Sequence, residues 1–441
     1  MAAFQALSQP SGQVDSHLPS IPLSRLTGDD DATRPLQVTD PKPNGGYGWV
    51  VVCGCSVIAF WFVGTTYSWG VIQASLVAQG LTSTATLSFV GSVTVALNAL
   101  LALVSTRFIR IFGARTTGML GIVLLSAGEI LSGFSTKNVG GLFFTTGVTM
   151  GIGVSFCFMV TSVTPAQYFS TKLGLANGIV YAGGGIGGSV ISFAMNGLLS
   201  RLGPAWTFRI IGLVTLGTGL PAAWLVKERA PIRSNTFIEW HLFRNPTFLL
   251  IFTAGAIATF TLFVPPFFLP LYAHSLSLSP SVGAGLVAAF TFSSAIGRLG
   301  CGYLCDIIGP LNSLFLALFF SAISMLAIWP TSTTLAPLIV FAVVNGIANG
   351  GFFSTMPTVI GAIFGHARIG VVMGMVVTGW FGGYLMGAPV AGYLLQAYGG
   401  EDAGLSAYHP AIFFAGSMAT AAAGLVLMMR LMLERRVFRK V

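Results

Sequence analysis

Residues 172–188 read KLGLANGIVYAGGGIGG, and residues 368–387 read RIGVVMGMVVTGWFGGYLMG. Each opens on a basic residue, continues as Gly-x-x-x-Gly, and becomes a glycine ladder in an apolar run. Gly174, Gly178, Gly183 and Gly187 map onto Gly370, Gly374, Gly379 and Gly383 at a single offset of 196 residues. The same offset carries Gly113, in a basic loop, onto Gly309. A basic residue, a ladder and a loop glycine sharing one offset indicate two related halves. Small residues four apart let helix backbones approach closely in a membrane. The ladders therefore mark packing faces, and in a rocking molecule they are where the halves would meet. Gly183-x-Gly185-x-x-Gly188 also fits a dinucleotide pattern, but no strand precedes it, so that match is discarded.

Composition sets the class. Of 441 residues, 54% are hydrophobic and 7% are charged, against about 25% charged in soluble domains. A soluble enzyme, a disordered chain and a nucleic-acid binder are excluded. About 20 apolar residues cross a bilayer as one helix. Stretches of that kind run over 48–72, 84–105, 116–134, 139–162, 173–199, 205–226, 247–272, 281–304, 312–330, 335–355, 370–395 and 409–432. The expected fold is an all-α integral membrane protein, with twelve transmembrane helices in two parallel six-helix pseudo-repeats. Such repeats, related by an axis along the membrane normal, are a transporter architecture. The expected organisation is a disordered cytoplasmic tail 1–43, a first bundle 44–226, a linker 227–246, a second bundle 247–432 and a basic tail 433–441.

The net charge of +9 fits this reading. If the chain starts in the cytoplasm, every Lys and Arg except Lys137, Arg201, Arg209 and the intraspan Arg298 falls on the cytoplasmic side. That bias is the positive-inside rule, and it predicts both termini inside. The segment from Arg430 to Lys440 could rest on anionic lipid or simply anchor the last helix. The five cysteines lie in apolar runs and imply no disulfide framework.

Ionisable and polar residues inside spans are the candidate site. Arg298, on the eighth span, keeps its charge at every physiological pH and grips a carboxylate at two points. It is read as an anion site, with snorkelling or structural pairing as alternatives. Glu129, on the third span, is an isolated carboxyl that could carry a proton or serve as a neutral structural acid. Asp306 ends the eighth span where the eleventh begins, so a helix dipole near Gly370 could hold it as a gate. Tyr67, Asn98, Asn177, Tyr181, Asn345, Asn349, Trp380 and Tyr384 form a looser polar and aromatic set. Asn345 and Asn349 share one helix face, suited either to a cavity wall or to interhelical bonding. Pro265, Pro266 and Pro270 should bend the seventh span and free backbone carbonyls there. Catalytic and nucleotide signatures are missing, and no His or Cys cluster has metal spacing. The expectation is therefore no enzyme, no cofactor and no metal.

Asn44-Gly45-Gly46-Tyr47-Gly48-Trp49 resembles the signature that opens the first helix of the monocarboxylate transporter family, within the major facilitator superfamily. Arg110-Ile-Phe-Gly113-Ala-Arg115 resembles the family's loop between helices 2 and 3. Gly297-Arg298 with Gly302-x-x-x-Asp306-x-x-Gly309 resembles the matching region of the second half. The resemblance spans residues 44 to about 430, and the short central loop is of fungal type. It implies the major facilitator fold, alternating access, gating by Asp306, Gly309, Arg110, Gly113 and Arg115, and a substrate carboxylate on Arg298. Two positions depart from proton-coupled animal members. Their first-helix lysine falls at about Tyr67, and the acid one turn before the arginine falls at Ser294.

These features lead to an expected function. The chain should be a secondary carrier for an organic anion or weakly acidic metabolite bulkier than lactate, with Arg298, Tyr67, Asn345, Asn349 and Tyr384 as substrate residues. The fungal character favours efflux of a secondary metabolite at the plasma membrane. The alternative is a proton-coupled importer of a monocarboxylate or vitamin-like acid, with Glu129 as its proton site. A nutrient sensor on the same fold is disfavoured by the short tails.

Overall fold

The computed structural model describes residues 45–169, 173–229, 238–365 and 369–434. The expected tail 1–43, residues 435–441 of the expected tail 433–441, Asn44, and the repeat-opening Lys172 and Arg368 lie outside the described residues.

Glycines with positive φ divide the apolar chain into crossings. Gly113 (φ 86°), Gly203 (φ 73°), Gly309 (φ 97°) and Gly365 (φ 83°) each end a helix in a conformation that a side chain disfavours. Pro204 and Pro310 follow two of them and start the next helix, where a missing N–H costs nothing. The twelve crossings are α1 Tyr47–Ala78, α2 84–112, α3 114–135, α4 Val139–Gln167, α5 173–202, α6 204–225, α7 Pro246–Ser275, α8 Pro280–Ile308, α9 Pro310–Ile328, α10 Leu335–Phe364, α11 369–397 and α12 His409–Leu433. Ten helical segments are long and apolar enough to span among the described residues. The longest, Gly174–Leu225, bends at Gly203 and holds both α5 and α6. The seventeen-residue helix Thr84–Leu100 leads α2, which resumes at Ala102. Local caps agree with these limits: Ser83 Oγ accepts from Thr86 N at 3.3 Å, and Asn245 Oδ1 from Thr247 N at 2.9 Å.

The repeat is physical. Gly183 lies on Ser56 and Gly187 on the Phe60 carbonyl, joining α5 to α1; 196 residues on, Gly379 lies on Phe252 and Gly383 on the Ala256 carbonyl, joining α11 to α7. Gly113 and Gly309 share nearly the same backbone, with ψ of 159° and 149°. Gly203 likewise corresponds to Gly399, also at positive φ. The ladder serves two faces. Gly185 and Gly188 turn the other way, onto Ala295 and Thr291 of α8. Gly374 of α11 meets Leu103 of α2, and Gly392 meets Ala85. The halves therefore join along α5–α8 and α2–α11, and only part of each ladder is a meeting face. The rest is packing within a half.

Both described ends of the chain, Gly45 and Glu434, stand at one face of this twelve-helix fold, called here the terminal face. Arg430 is buried there: its Nε donates to Asn312 Oδ1 at 2.8 Å and its Nη1 to the Glu434 carbonyl at 2.7 Å. It ties α12 to α9 and does not rest on lipid. A buried guanidinium needs several acceptors, and only the folded helix ends supply them.

Candidate binding site

Pro266 has no N–H, so the Leu262 carbonyl one turn earlier loses its helical partner. The α7 helix breaks there, at Phe263. Asn349 of α10 fills the vacancy, its Nδ2 donating to the Leu262 carbonyl at 3.0 Å. That bond aims the amide oxygen at α1, where the Tyr67 hydroxyl donates to it at 2.8 Å. The proline bend thus fixes a hydrogen-bonded link between the halves. Trp61 and Trp69 of α1 are packing residues: neither lines the cavity, and Trp69 Nε1 donates to the Leu87 carbonyl at 3.2 Å.

Arg298 of α8 sits beside this link and is 2% exposed. Its Nη1 donates to the Tyr181 carbonyl of α5 at 2.5 Å, and its guanidinium carbon lies 5.4 Å from the Phe353 ring centre. Its Nε has no hydrogen-bond partner, and no carboxylate pairs with it among the described residues. The arginine lines a small central cavity of about 40 Å³. Phe62, Tyr67, Phe158 and Tyr181 form the wall from the first half, and Phe263, Phe353 and Tyr384 the wall from the second. Asn98 also lines it, its buried Oδ1 unpartnered. A cation held against aromatic faces with a donor unused suits an anion carrying an apolar body.

Of the expected substrate residues, Arg298, Tyr67 and Tyr384 line the cavity and Asn349 is bonded to Tyr67. Asn345 is not with them. Its Nδ2 donates to Ser324 Oγ of α9 at 2.8 Å, so it bonds helices together away from the cavity. Both amides share one helix stripe, but neighbouring α9 claims the first. Phe353 escaped the sequence reading although it follows Asn349 by one turn. Phe62, Phe158 and Phe263 were indistinguishable from other core phenylalanines.

Glu129 is buried between α3, α1 and α6, facing Thr65 and Thr215. It does not line the cavity, and no basic side chain pairs with it among the described residues. Asp306 lines a gap between α5 and α8 at the terminal face. Its expected meeting with the start of α11 falls on residues 366–370, whose side chains lie outside the described residues. Arg110 is on the closing turn of α2, just before Gly113, and Gly309 joins α8 to α9. Arg115 stays within its own half, stacked on Trp224 at 4.8 Å. The family-signature residues are structural. Gly45 and Gly46 turn into α1, Gly46 at φ 62°. Gly48 permits close approach of Tyr168 and Phe169, Trp49 packs on Phe169 at 4.9 Å, and Tyr47 donates to the Leu225 carbonyl at 2.8 Å.

Two symmetry-related helical halves around one buried cationic cavity define a multi-pass membrane transporter for small molecules. The chain belongs to the Major Facilitator Superfamily, whose family model matches residues 50–341 and 251–440. It is 30% identical to the aspyridones efflux protein apdF of Emericella nidulans, over 82% of this chain and 75% of that one. It is 26% identical to monocarboxylate transporter 13 of Rattus norvegicus, over 83% of this chain and 86% of that one. The fold matches a single-site mutant of the nucleoside transporter NupG with a TM-score of 0.68 at 12% identity, covering 86% of this chain and 99% of that one.

Proposed function

We propose that this transporter exports an amphipathic organic anion of the secondary-metabolite type. The acid group would lie on Arg298 and the apolar body among the aromatic rings of the cavity. The observation that carries this reading is the buried guanidinium, with Nε unused, facing a cavity lined from both halves. Alternating access follows if the α5–α8 and α2–α11 seams open at one face while closing at the other. Arg110, Gly113, Asp306 and Gly309 are the proposed gate elements at the terminal face. The basic bias of that face supports a cytoplasmic location for it, and the plasma membrane is the proposed site. The efflux function named for the Emericella relative supports the outward direction. Comparing metabolites in medium and cell extract, with and without the gene, tests the reading. A compound retained inside and lost from the medium on deletion is expected. Loss of uptake of carboxylic acids, with secretion unchanged, would overturn it.

A second reading, proton-coupled import of a monocarboxylate or vitamin-like acid, draws on Glu129. A carboxyl held in a span without a basic partner is suited to exchange a proton. Import that loses its pH dependence in Glu129→Gln would support this reading, and unchanged pH dependence would remove the proton role.

A further inference from the structure

Arg115 serves neither the central cavity nor a seam between the halves. With Lys227 and Arg229 it lines a separate open pocket of about 420 Å³ at the terminal face, together with Tyr47, Tyr168 and Glu228. Four elements build it: the first turns of α1 and α3, the segment after α4, and the segment after α6. We infer that this pocket is a binding site for a phosphate ester, namely the headgroup of an anionic phospholipid.

The charge balance is the first argument. Three basic residues share the pocket with one acid, and that acid is already engaged. Glu228 Oε1 accepts from Ala114 N at 2.9 Å, at the open N-terminus of α3. Arg115 and Lys227 pair with no carboxylate among the described residues. Arg115 is held flat by the Trp224 face, and its buried Nε lacks a hydrogen-bond partner. Its position is therefore set by stacking, and its hydrogen-bonding edge is left over. The two phenols are anchored independently, Tyr168 to the Lys227 carbonyl at 2.9 Å and Tyr47 to the Leu225 carbonyl at 2.8 Å. The pocket is built before any ligand arrives.

Location selects a lipid over a soluble anion. The pocket lies where α1 and α3 begin and α6 ends, which is the edge of the apolar belt. Beside it Trp224 is 57% exposed, Tyr47 44% and Leu225 43%. Interfacial aromatic residues next to basic ones mark headgroup level, and basic pockets between helices at that level hold phosphorylated headgroups. The acyl chains of a bound lipid would run along Leu225 and Trp224.

The test is native mass spectrometry of the full-length protein with phosphatidylinositol or phosphatidylcholine of matched chains, and with inositol hexakisphosphate as a soluble arm. Phosphatidylinositol should be retained over phosphatidylcholine. Retention should fall about fivefold for each basic side chain removed, in Lys227→Gln and further in Lys227→Gln with Arg115→Gln. Arg244→Gln, exposed and outside the pocket, should bind as the parent does. Lys227 donates no side-chain bond among the described residues, so its variant separates binding from folding. Equal retention of the two lipids, or parent-like retention in both pocket variants, would overturn the site. Inositol hexakisphosphate bound as tightly as the lipid would overturn the lipid and leave a soluble phosphate as the ligand.

Discussion

Arg298 is buried against one carbonyl and an aromatic face, with an unused Nε. Its planar fork is what a carboxylate matches, and an ammonium does not replace it. Charge-assisted bonds contribute about 1.5–3 kcal/mol, so Arg298→Lys should weaken substrate affinity about 10- to 100-fold. Competition against transport of the substrate that metabolite analysis identifies checks this. Tyr67→Phe removes the donor to Asn349 Oδ1 and strands a buried acceptor, a cost of about 1–3 kcal/mol. Thermal unfolding in detergent should show the loss even without substrate. Glu228, outside the spans, is held above the usual carboxylate range by burial, with the Ala114 N–H opposing that shift. The folded state therefore binds this proton more tightly than the unfolded state. The resulting stability is full below the ordinary carboxylate range and fades as pH rises through the elevated value. Glu228→Gln should flatten that slope in melting curves recorded from acid to neutral pH, while keeping an acceptor for Ala114.

Helices show how far pattern reading reaches. Every expected span corresponds to a helix, because length and hydropathy are local properties. Several helices run beyond the expected limits: α1 reaches Ala78 and α10 reaches Phe364. The proline-rich stretch of α7 was expected to bend, and it does. That its freed carbonyl would be claimed by Asn349 was not legible, because α10 lies far away in sequence. The ladders carry a clear test. A Cβ at Gly187 would press into the Phe60 carbonyl, and one at Gly383 into Thr259 and the Ala256 carbonyl. Gly187→Ala and Gly383→Ala should each cost about 1–3 kcal/mol by overpacking. Gly217→Ala, with open space around it, should not. Unfolding of the three variants in detergent decides this.

Across the whole molecule, the halves touch at both faces. Asn196 Nδ2 donates to Ser281 Oγ at 3.2 Å, and Thr84 Oγ1 bonds the Glu401 carboxylate on the face opposite the termini. Leu103 meets Gly374 toward the terminal face. If rocking about the central cavity drives transport, tying either face should arrest it. Asn196→Cys with Ser281→Cys, bridged by a short bifunctional thiol reagent, should abolish transport and recover it on reduction. Undiminished transport by the bridged protein would exclude movement at that seam.

Composition, the lengths of apolar runs, a constant offset and the placement of basic residues determined the class, the number of helices and the repeat, because each follows from the polarity and size of the residues themselves. Arg298 was legible too, since a guanidinium inside a span must find polar company or water. Tertiary structure alone decided which polar residues meet. Asn345 and Asn349 are four residues apart on one helix, yet one bonds α9 and the other links α7 to Tyr67. Arg115 and Arg430 have the same charge, yet one is left facing an open pocket and the other is consumed inside the fold. A side chain's partners depend on helix rotation and on neighbours hundreds of residues away, and no local pattern encodes either.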